Sequence, residues 1–418
     1  MSAVVDFPVK PEARPYLDAF AEIASEPDWL RNARRAGLSR FAELGFPSRR
    51  SENWRYLNLR PLEKQPLLPA SGHKPTLPLD LPAGVYLRPI RTAIAERPEL
   101  LRALGDDLGA DHPFASLNAA FFANGFVLDV APGIVVETPI EIVRSAGAAS
   151  ASLHTRGVIN MGAGARATVF ETYYGDEEAQ AASYLDIGKY WRNDFAAWRL
   201  GEGASLTRIA LVEEEPGAVH LGEVRATLGA GAKLNAFALL LGGGTVRHEA
   251  NVIIAGDNAE CRYDGAFVVS GSEEANIVTA VDHQAVGGTT SELIKGVAAG
   301  RGHGAFQGKI IVREGAQQTD ARQTSRNLIL GRRASIDTKP ELEILADDVK
   351  CAHGASVGDL DEAALFYLRA RGIPTDEARR LLVEGFLREP VEGIADPAIR
   401  EHLLGRLSAR LARLEEWA

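Results

Sequence analysis

Hydrophobic and polar positions change period twice along the chain. From Pro11 to about Leu44 the apolar residues Leu17, Phe20, Ala21 and Ile23, then Leu30, Ala33, Leu38 and Phe41, recur at helical spacing. With a break at Pro27, this predicts two short helices, each with one buried face. Between Pro61 and about His112, prolines at 61, 66, 69, 75, 78, 82, 89 and 98 interrupt any long element. Extended connections are expected there, with a short helix near residues 96–104. A helix-like run from Ser116 then passes through Asn124 and Gly125 into the alternating Phe126, Leu128 and Val130, which marks the entry to a middle domain.

The middle of the chain is repetitive. Small-residue corners start at Gly162, Gly201, Gly229, Gly256, Gly300 and Gly331, flanked by strand-like segments such as RATVFETYY, ASLTRIALVEE and AKLNAFALLL. Two steps, 229 − 201 = 28 and 256 − 229 = 27, are nearly equal. Near-equal steps with β-rich flanks are the mark of a stacked solenoid, and the longer steps imply insertions or a skipped corner. Each strand is expected to alternate inward apolar with outward polar residues, a scheme that Val158, Arg166, Val169, Glu171 and Tyr173 fit, as do Arg225, Thr227, Leu234, Ala236 and Ala238. Periodicity alone leaves an antiparallel sandwich open.

After Asp359 the pattern is helical again. Asp361 is placed to cap one helix with Leu365 and Leu368 inward, ended by Gly372 and Pro374; Thr375 is placed to cap a second, with Ala378, Leu381, Leu382 and Phe386 on one stripe. Asp396 and Pro397 open a third, along which Ile399, Leu403, Leu407, Leu411 and Leu414 form an apolar seam. Helices this apolar need a surface to cover, and what remains exposed is a docking face for a partner.

Composition narrows the function. With 418 residues, 46% of them hydrophobic, the chain can bury a large core, and its net charge of −10 argues against nucleic acid as main partner. The N-terminus has neither the basic nor the apolar region of a secretory signal, and the run AFALLL from Ala236 is far too short to span a bilayer, so a soluble cytoplasmic protein is expected. Cys261 and Cys351 are too few for a disulfide framework. No Walker-type phosphate loop, GxSxG or HExxH is present. Of the nine histidines, His283 and His303 flank Gly-rich corners and could meet in space.

One pair carries chemistry. Cys351 and His353 lie two apart in an extended segment, so thiol and imidazole share one side of the chain. Both are ligands for zinc, copper or iron–sulfur centres, but two ligands fall short of the usual four, and the rest must come from elsewhere. Read as packing, Cys351 is a small hydrophobe, as Cys261 is expected to be. The polar cluster Gln317, Gln318, Thr319, Asp320, Arg322, Gln323 and Asn327 reads as a ladder closing coil corners or as a ligand site, with Arg322 and Arg326 free to face another subunit.

The stretch ADDVKCAHGASVGDLDEAALFYLRARGI resembles the C-terminal signature of the SufD family, scaffold subunits of the SUF iron–sulfur cluster assembly machinery. Glu52, Trp54, Arg55 and Tyr56 resemble that family's N-terminal ExWRY segment. The paralogous SufB chains share LFYLRxRGI but carry a Glu-His pair where this chain has Cys351, Ala352 and His353. The resemblance implies a mainly β chain, with a right-handed parallel β-helix core flanked by N-terminal and C-terminal helical regions: residues 1–115 helical with a Pro-rich connection, 116–350 the β-helix, and 351–418 the C-terminal helical domain.

It also implies a non-catalytic scaffold in an ATP-driven SufBCD complex. The chain would pair with SufB through the β-helices and dock the ATPase SufC through its C-terminal helices, around Leu365, Phe366, Tyr367, Leu368, Leu381, Leu382 and Phe386. Its cargo would be a nascent iron–sulfur cluster held transiently with SufB, with Cys351 and His353 as a partial ligand set. The resemblance leaves open a flavin and the pairing of the isolated chain with itself. The alternatives are a purely structural β-helix subunit without ligand residues, and a β-helix carbohydrate enzyme, for which an evident carboxylate pair is missing.

Overall fold

The computed structural model describes residues 9–23, 25–102, 112–147, 150–175 and 190–414. The helices are α1 (Arg14–Ala19), α2 (Asp28–Leu44), α3 (Arg60–Lys64), α4 (Ile90–Glu96), α5 (Glu99–Arg102), α6 (Pro113–Phe121), α7 (Glu362–Ala370), α8 (Thr375–Glu392) and α9 (Pro397–Ala412). The first strands are β1 (Pro69–Ala70), β2 (Val85–Pro89), β3 (Asn124–Val130), β4 (Ile140–Ser145), β5 (Ser152–Met161) and β6 (Arg166–Tyr174). Then come β7 (Trp191–Leu200), β8 (Ser205–Glu213), β9 (Val219–Leu228), β10 (Lys233–Gly242), β11 (Thr245–Ile254) and β12 (Glu260–Val269). The last are β13 (Glu274–His283), β14 (Thr289–Ala298), β15 (His303–Val312), β16 (Asp320–Ile329), β17 (Ser335–Ile344) and β18 (Lys350–Gly358).

From β3 onward, odd strands stack in one sheet and even strands in the other, each parallel to the strand one coil before it. The result is a parallel β-solenoid of about eight turns with helices at both ends of the chain, and β2 joins the odd sheet antiparallel to β3. The expected coil repeat has a backbone cause. Corners leading from the odd to the even sheet need one residue in the left-handed region, supplied at Gly164, Gly203, Gly231, Asn258, Gly287 and Gln318. Glycine enters that region without steric cost and asparagine at little cost, which is why the motif fades where Gln318 takes the position.

Two of the expected corners lie elsewhere. Gly300 and Gly331 fall between β14 and β15 and between β16 and β17, on the opposite edge from Gly162, Gly201, Gly229 and Gly256. The long step after Gly256 therefore mixes two edges. The step from Gly162 to Gly201 reflects a true insertion, since Ser152 pairs with Trp191, an offset of 191 − 152 = 39. The next offset is 219 − 191 = 28.

The lumen between the sheets holds the largest apolar cluster, from Phe126 and Leu128 through Trp198, Leu234 and Phe267 to Phe306 and Ile336. Glu171, expected outward, lies inside with Val169 and Tyr173, because residues two apart on a strand share a face. The outer face of the even sheet presents Ile209, Leu211, Phe237, Leu239 and Val268, and is covered by Val383, Leu387 and Val391 of α8 and Ile399, Leu403, Leu407 and Leu411 of α9. The expected seam is thus buried against the solenoid.

Asp361 and Asp396 cap α7 and α9 through their carboxylates. Thr375 does not cap α8: Pro374, extended at ψ 148°, precedes the helix, and Thr375 is its first residue. The outer face of the odd sheet is covered by α2, α6 and the Trp54 segment, where Phe114 and Trp191 meet Phe46 and Trp54. The helix expected near residues 96–104 is seen as α4 and α5, with residues 103–111 outside the described part.

Candidate functional site

Strand alternation makes inward residues of successive coils stack in columns. In the even sheet one column runs Ala236, Tyr263, Glu292, Gln323 and His353, and the column beside it Leu234, Cys261, Thr290, Ala321 and Cys351. The two candidate ligands therefore share the inward face of β18. Since β18 ends its sheet, no further coil covers them. His353 is exposed and Cys351 half-buried, and around them Ile344, Leu345 and Val357 are 40%, 54% and 40% exposed. Ile344 and Val357 match positions that the preceding coil buries at Val312 and Asn327, which marks this as an open end of the solenoid. Burial, and then the neighbouring Asp320, push the Cys351 thiol up from its ordinary range. Cys261 is sealed in the lumen, its thiol also pushed up by burial.

Behind this end the lumen is polar in two different ways. In the early coils Arg144 Nη2 lies 2.9 Å from Glu171 Oε2, and its Nη1 binds Asp194 Oδ1. Arg208 Nε reaches Glu171 Oε1 at 3.0 Å, and Arg192 Nε reaches Glu214 Oε1 at 2.6 Å. Tyr173 OH donates to Asp194 Oδ2 at 2.9 Å, and His220 Nδ1 is 2.8 Å from Glu214 Oε1. Burial would raise these acids, but Arg144 outweighs it at Asp194, and Arg192 with His220 holds Glu214 down at about 2. Every charge here has an opposite neighbour.

In the late coils Glu292 is just as buried and receives an amide hydrogen from Gln323 where the others have a guanidinium. Loss of solvent pushes its carboxyl up to about 7, only partly opposed by Gln323 and Thr279. Between Glu292 and the open end lies one coil layer, in which β16 turns the polar side chains Gln323, Ser325 and Asn327 inward beside Ala321; Asn327 donates to Ser325 Oγ at 2.9 Å. Gln323 fits a prepared space, because a side chain on Gly308 would stand 2.2 Å from its amide nitrogen. The ladder reading of the polar cluster therefore applies to the corner residues: Gln317 Oε1 accepts from the Asp348 amide, and Thr319 donates to the Ala316 carbonyl. Arg322 and Arg326 point outward and are exposed.

The residues expected to dock a partner divide. Phe366 and Tyr367 on α7 are 71% and 57% exposed and Leu381 on α8 is 43% exposed, whereas Leu365 is buried and Leu368 and Leu382 are half-buried. Phe386 packs beneath Lys295, whose Nζ stands 4.2 Å from the ring centre. His283 and His303 do not meet, because the pairing of β13 with β15 sets His303 beside Glu274 and His283 beside Val312, at opposite strand ends. His283 instead bonds Thr290 Oγ1 at 2.8 Å, and burial lowers it to about 4.

One cluster had no expectation attached. Where α6 meets the odd sheet, His112 Nδ1 lies 3.2 Å from Glu223 Oε2 and its Nε2 3.5 Å from Glu249 Oε2, an arrangement able to hold a metal ion. However, Arg225 Nε takes Glu223 Oε1 at 2.6 Å, and Arg247 Nη2 takes Glu249 Oε2 at 2.6 Å while stacking over Trp54. Two cations already balance the two carboxylates, which leaves room for a proton rather than a dication. Burial disfavours the charged ring, but Glu223 and Glu249 outweigh it and push the His112 pKa up, making an ion-pair latch between helix and coil. The available signal was the charged alternation of Glu223 with Arg225 and Arg247 with Glu249, which reads as a solvated face unless helices cover it.

Residues 143–386 match the family described as SUF system FeS cluster assembly, SufBD core domain. The iron–sulfur cluster assembly protein SufD of Escherichia coli is 31% identical over 258 residues, which cover 62% of this chain but only 59% of that protein. SufD of Bacillus subtilis is 26% identical over 432 aligned residues, covering 95% of this chain and 97% of the relative. A SufBD family protein of Mycobacterium tuberculosis is 28% identical over 378, covering 87% and 89%. With more than half of its residues inside the family match, among them Glu292, Gln323, Cys351 and His353, the chain belongs to the SufBD family of SUF-system iron–sulfur cluster assembly proteins.

Proposed function

We propose that this chain is a SufD-type scaffold subunit that pairs with a SufB-type β-solenoid through the open end at β18 and docks the ATPase SufC on its C-terminal helices. Cys351 and His353 form its half of a site for a nascent iron–sulfur cluster, which is cargo and leaves when complete. The observation that carries the reading is the shared inward face of Cys351 and His353 on an uncovered terminal strand. An unpaired strand edge with exposed Ile344, Leu345 and Val357 is a template for another chain. A companion solenoid seated there brings the missing ligands, and the imidazole and thiolate supply nitrogen and sulfur donors. Phe366, Tyr367 and Leu381 give the ATPase an apolar patch on the outer side of the same end. ATP-driven closure of two such ATPase subunits would then move α7 and α8 and open the solenoid interface, a rigid-body switch. The chain itself carries out no chemistry in this scheme.

The test is co-purification with an ATPase and a second solenoid paralogue, followed by cluster maturation with His353→Ala and Cys351→Ala in the intact complex. Loss of maturation with assembly retained supports the ligand role; normal maturation in both variants removes it. That second outcome favours a purely structural subunit, a reading to which the raised, half-buried Cys351 thiol lends its weight.

A further inference from the structure

Among the described residues, Glu292 is the exception among the lumen's buried carboxylates. Glu171, Asp194 and Glu214 each touch at least one guanidinium, whereas the groups facing Glu292 are uncharged or acidic. From β12 it meets Tyr263 and Cys261, with Asp264 on the far face of that strand; from β13, Thr279; from β16, Gln323. Arg208 lies beyond Tyr263. Gln323 Oε1, Asn327 Oδ1 and Tyr263 OH have no protein partner. Buried polar atoms are nearly always bonded to protein or to water, so these atoms are where water would bind in this part of the lumen. These groups lie close to the mouth, for Gln323 is the register partner of both Glu292 and His353, which puts Glu292 about 10 Å, two strand spacings, from the last strand. In the earlier coils the positions matching Ser325 and Asn327 are apolar: Ala238 and Leu240 on β10, Gly265 and Phe267 on β12.

We propose that Glu292 is a proton-exchanging site whose charge is coupled to whether the open end of the solenoid is covered: a partner seated on β18 closes the water path along Gln323, Ser325 and Asn327, favours the neutral acid, and takes up one proton. The step is a simple protonation, the carboxylate gaining one proton from solvent and no other bond changing. It rests on the docking of a second solenoid proposed above. Free, the group exchanges protons through the mouth. Covered, it loses the water that stabilises its negative form, as desolvation always penalises the charged state. Docking is then stronger at low pH. The gain is full below the free chain's titration point, is lost as pH rises through the higher docked one, and amounts to about tenfold in affinity for each unit separating the two.

Two measurements decide the matter, both on the full-length chain. Infrared titration of the isolated protein should show a carboxylic-acid carbonyl band that disappears as pH rises through neutrality and is missing from Glu292→Gln. If no such band titrates near neutral pH, the proton site is overturned without touching the docking proposal. Affinity for the paralogous solenoid, measured from pH 6 to 9, should fall with pH for the native chain and be flat for Glu292→Gln, whose amide mimics the neutral acid. An equal slope in the variant overturns the coupling alone, and no pairing at any pH overturns both the coupling and the proposed function. The overturning infrared result, the lack of a titrating band, is read on the native chain alone, so a poorly folding variant would not obscure it.

Discussion

The two stretches of lumen start from the same difficulty, a carboxylate out of reach of bulk water, and treat it differently. Around β4 to β9 the acids Glu171, Asp194 and Glu214 are tied to Arg144, Arg208 and Arg192, with Tyr173 and His220 filling remaining lone pairs. Such a network has one low-energy charge state and resists rearrangement. Around β14 to β18 Glu292 has an amide for a neighbour, and beyond it lie uncharged polar groups and an open mouth. A stretch of that kind has two charge states close in free energy. The contrast separates a part of the scaffold built to stay fixed from a part able to respond to what binds it.

The strongest blow to the fixed part is Arg192→Met. It leaves Glu214, fully buried, without the guanidinium that binds it, and breaking one partner out of such a pair costs about 3–5 kcal/mol. Denaturant unfolding should show a loss of that size at pH 7. A loss below about 1 kcal/mol would mean that Tyr190 and His220 suffice to hold the charge, and the distinction between the two stretches would weaken.

Acid and alkali should then act on the two stretches with opposite sign. Glu214 is held at about 2, below its ordinary value, so the stability it contributes is present above the ordinary carboxylate range and is lost as pH falls toward 2. Glu292 is held at about 7, above its ordinary value of 4.5, so the native state favours its neutral form. Its stabilisation is intact below 4.5 and declines as pH rises to about 7, by roughly 3 kcal/mol in all. Glu292→Gln, which does not titrate, should therefore gain on the native chain from pH 5 to pH 8 in paired urea melts. A constant difference between the two chains over that range would mean that Glu292 keeps an ordinary pKa.

A smaller effect probes how the responsive stretch is built. Gly308→Ala drives a methyl group against the Gln323 amide, 2.2 Å away, and overpacking of this kind costs about 1–3 kcal/mol. Because it displaces a side chain that hydrogen-bonds Glu292, it should also move the infrared titration of Glu292. A loss of stability with the titration unmoved would separate Gln323 from the behaviour of the acid.

The architecture was legible in the sequence because its cause is local. Gly164, Gly203 and Gly231 recur where the backbone turns left-handed, and a repeat of such corners with strands between them leaves few alternatives to a coil. The shared face of Cys351 and His353 followed from their spacing. The lumen was harder to read, since alternation divides residues into two faces without saying which face is buried. Glu171 and Glu292 look like solvated positions until Val169 and Ile294, two residues away, are seen to share their side. The outer face of the odd sheet misleads in the same way: Glu223 and Glu249 are covered by α6 and the Trp54 segment, which arrive from more than a hundred residues earlier. No local pattern reports that cover.

At the mouth itself the contrast with Arg192 should be complete. His353 is exposed on a terminal strand, and substitutions away from buried features usually stay within about 0.5 kcal/mol, so His353→Ala should leave the unfolding midpoint nearly unchanged. If the imidazole is a ligand, the same variant should nonetheless abolish cluster maturation in an assembled complex. Arg192→Met should instead lower maturation only as far as it lowers the amount of folded chain. Measuring both quantities on both variants places each residue on one axis, stability or cargo. A His353→Ala chain whose activity falls only in step with its folded fraction would remove the ring from the site and return the last coil to the role of a docking edge.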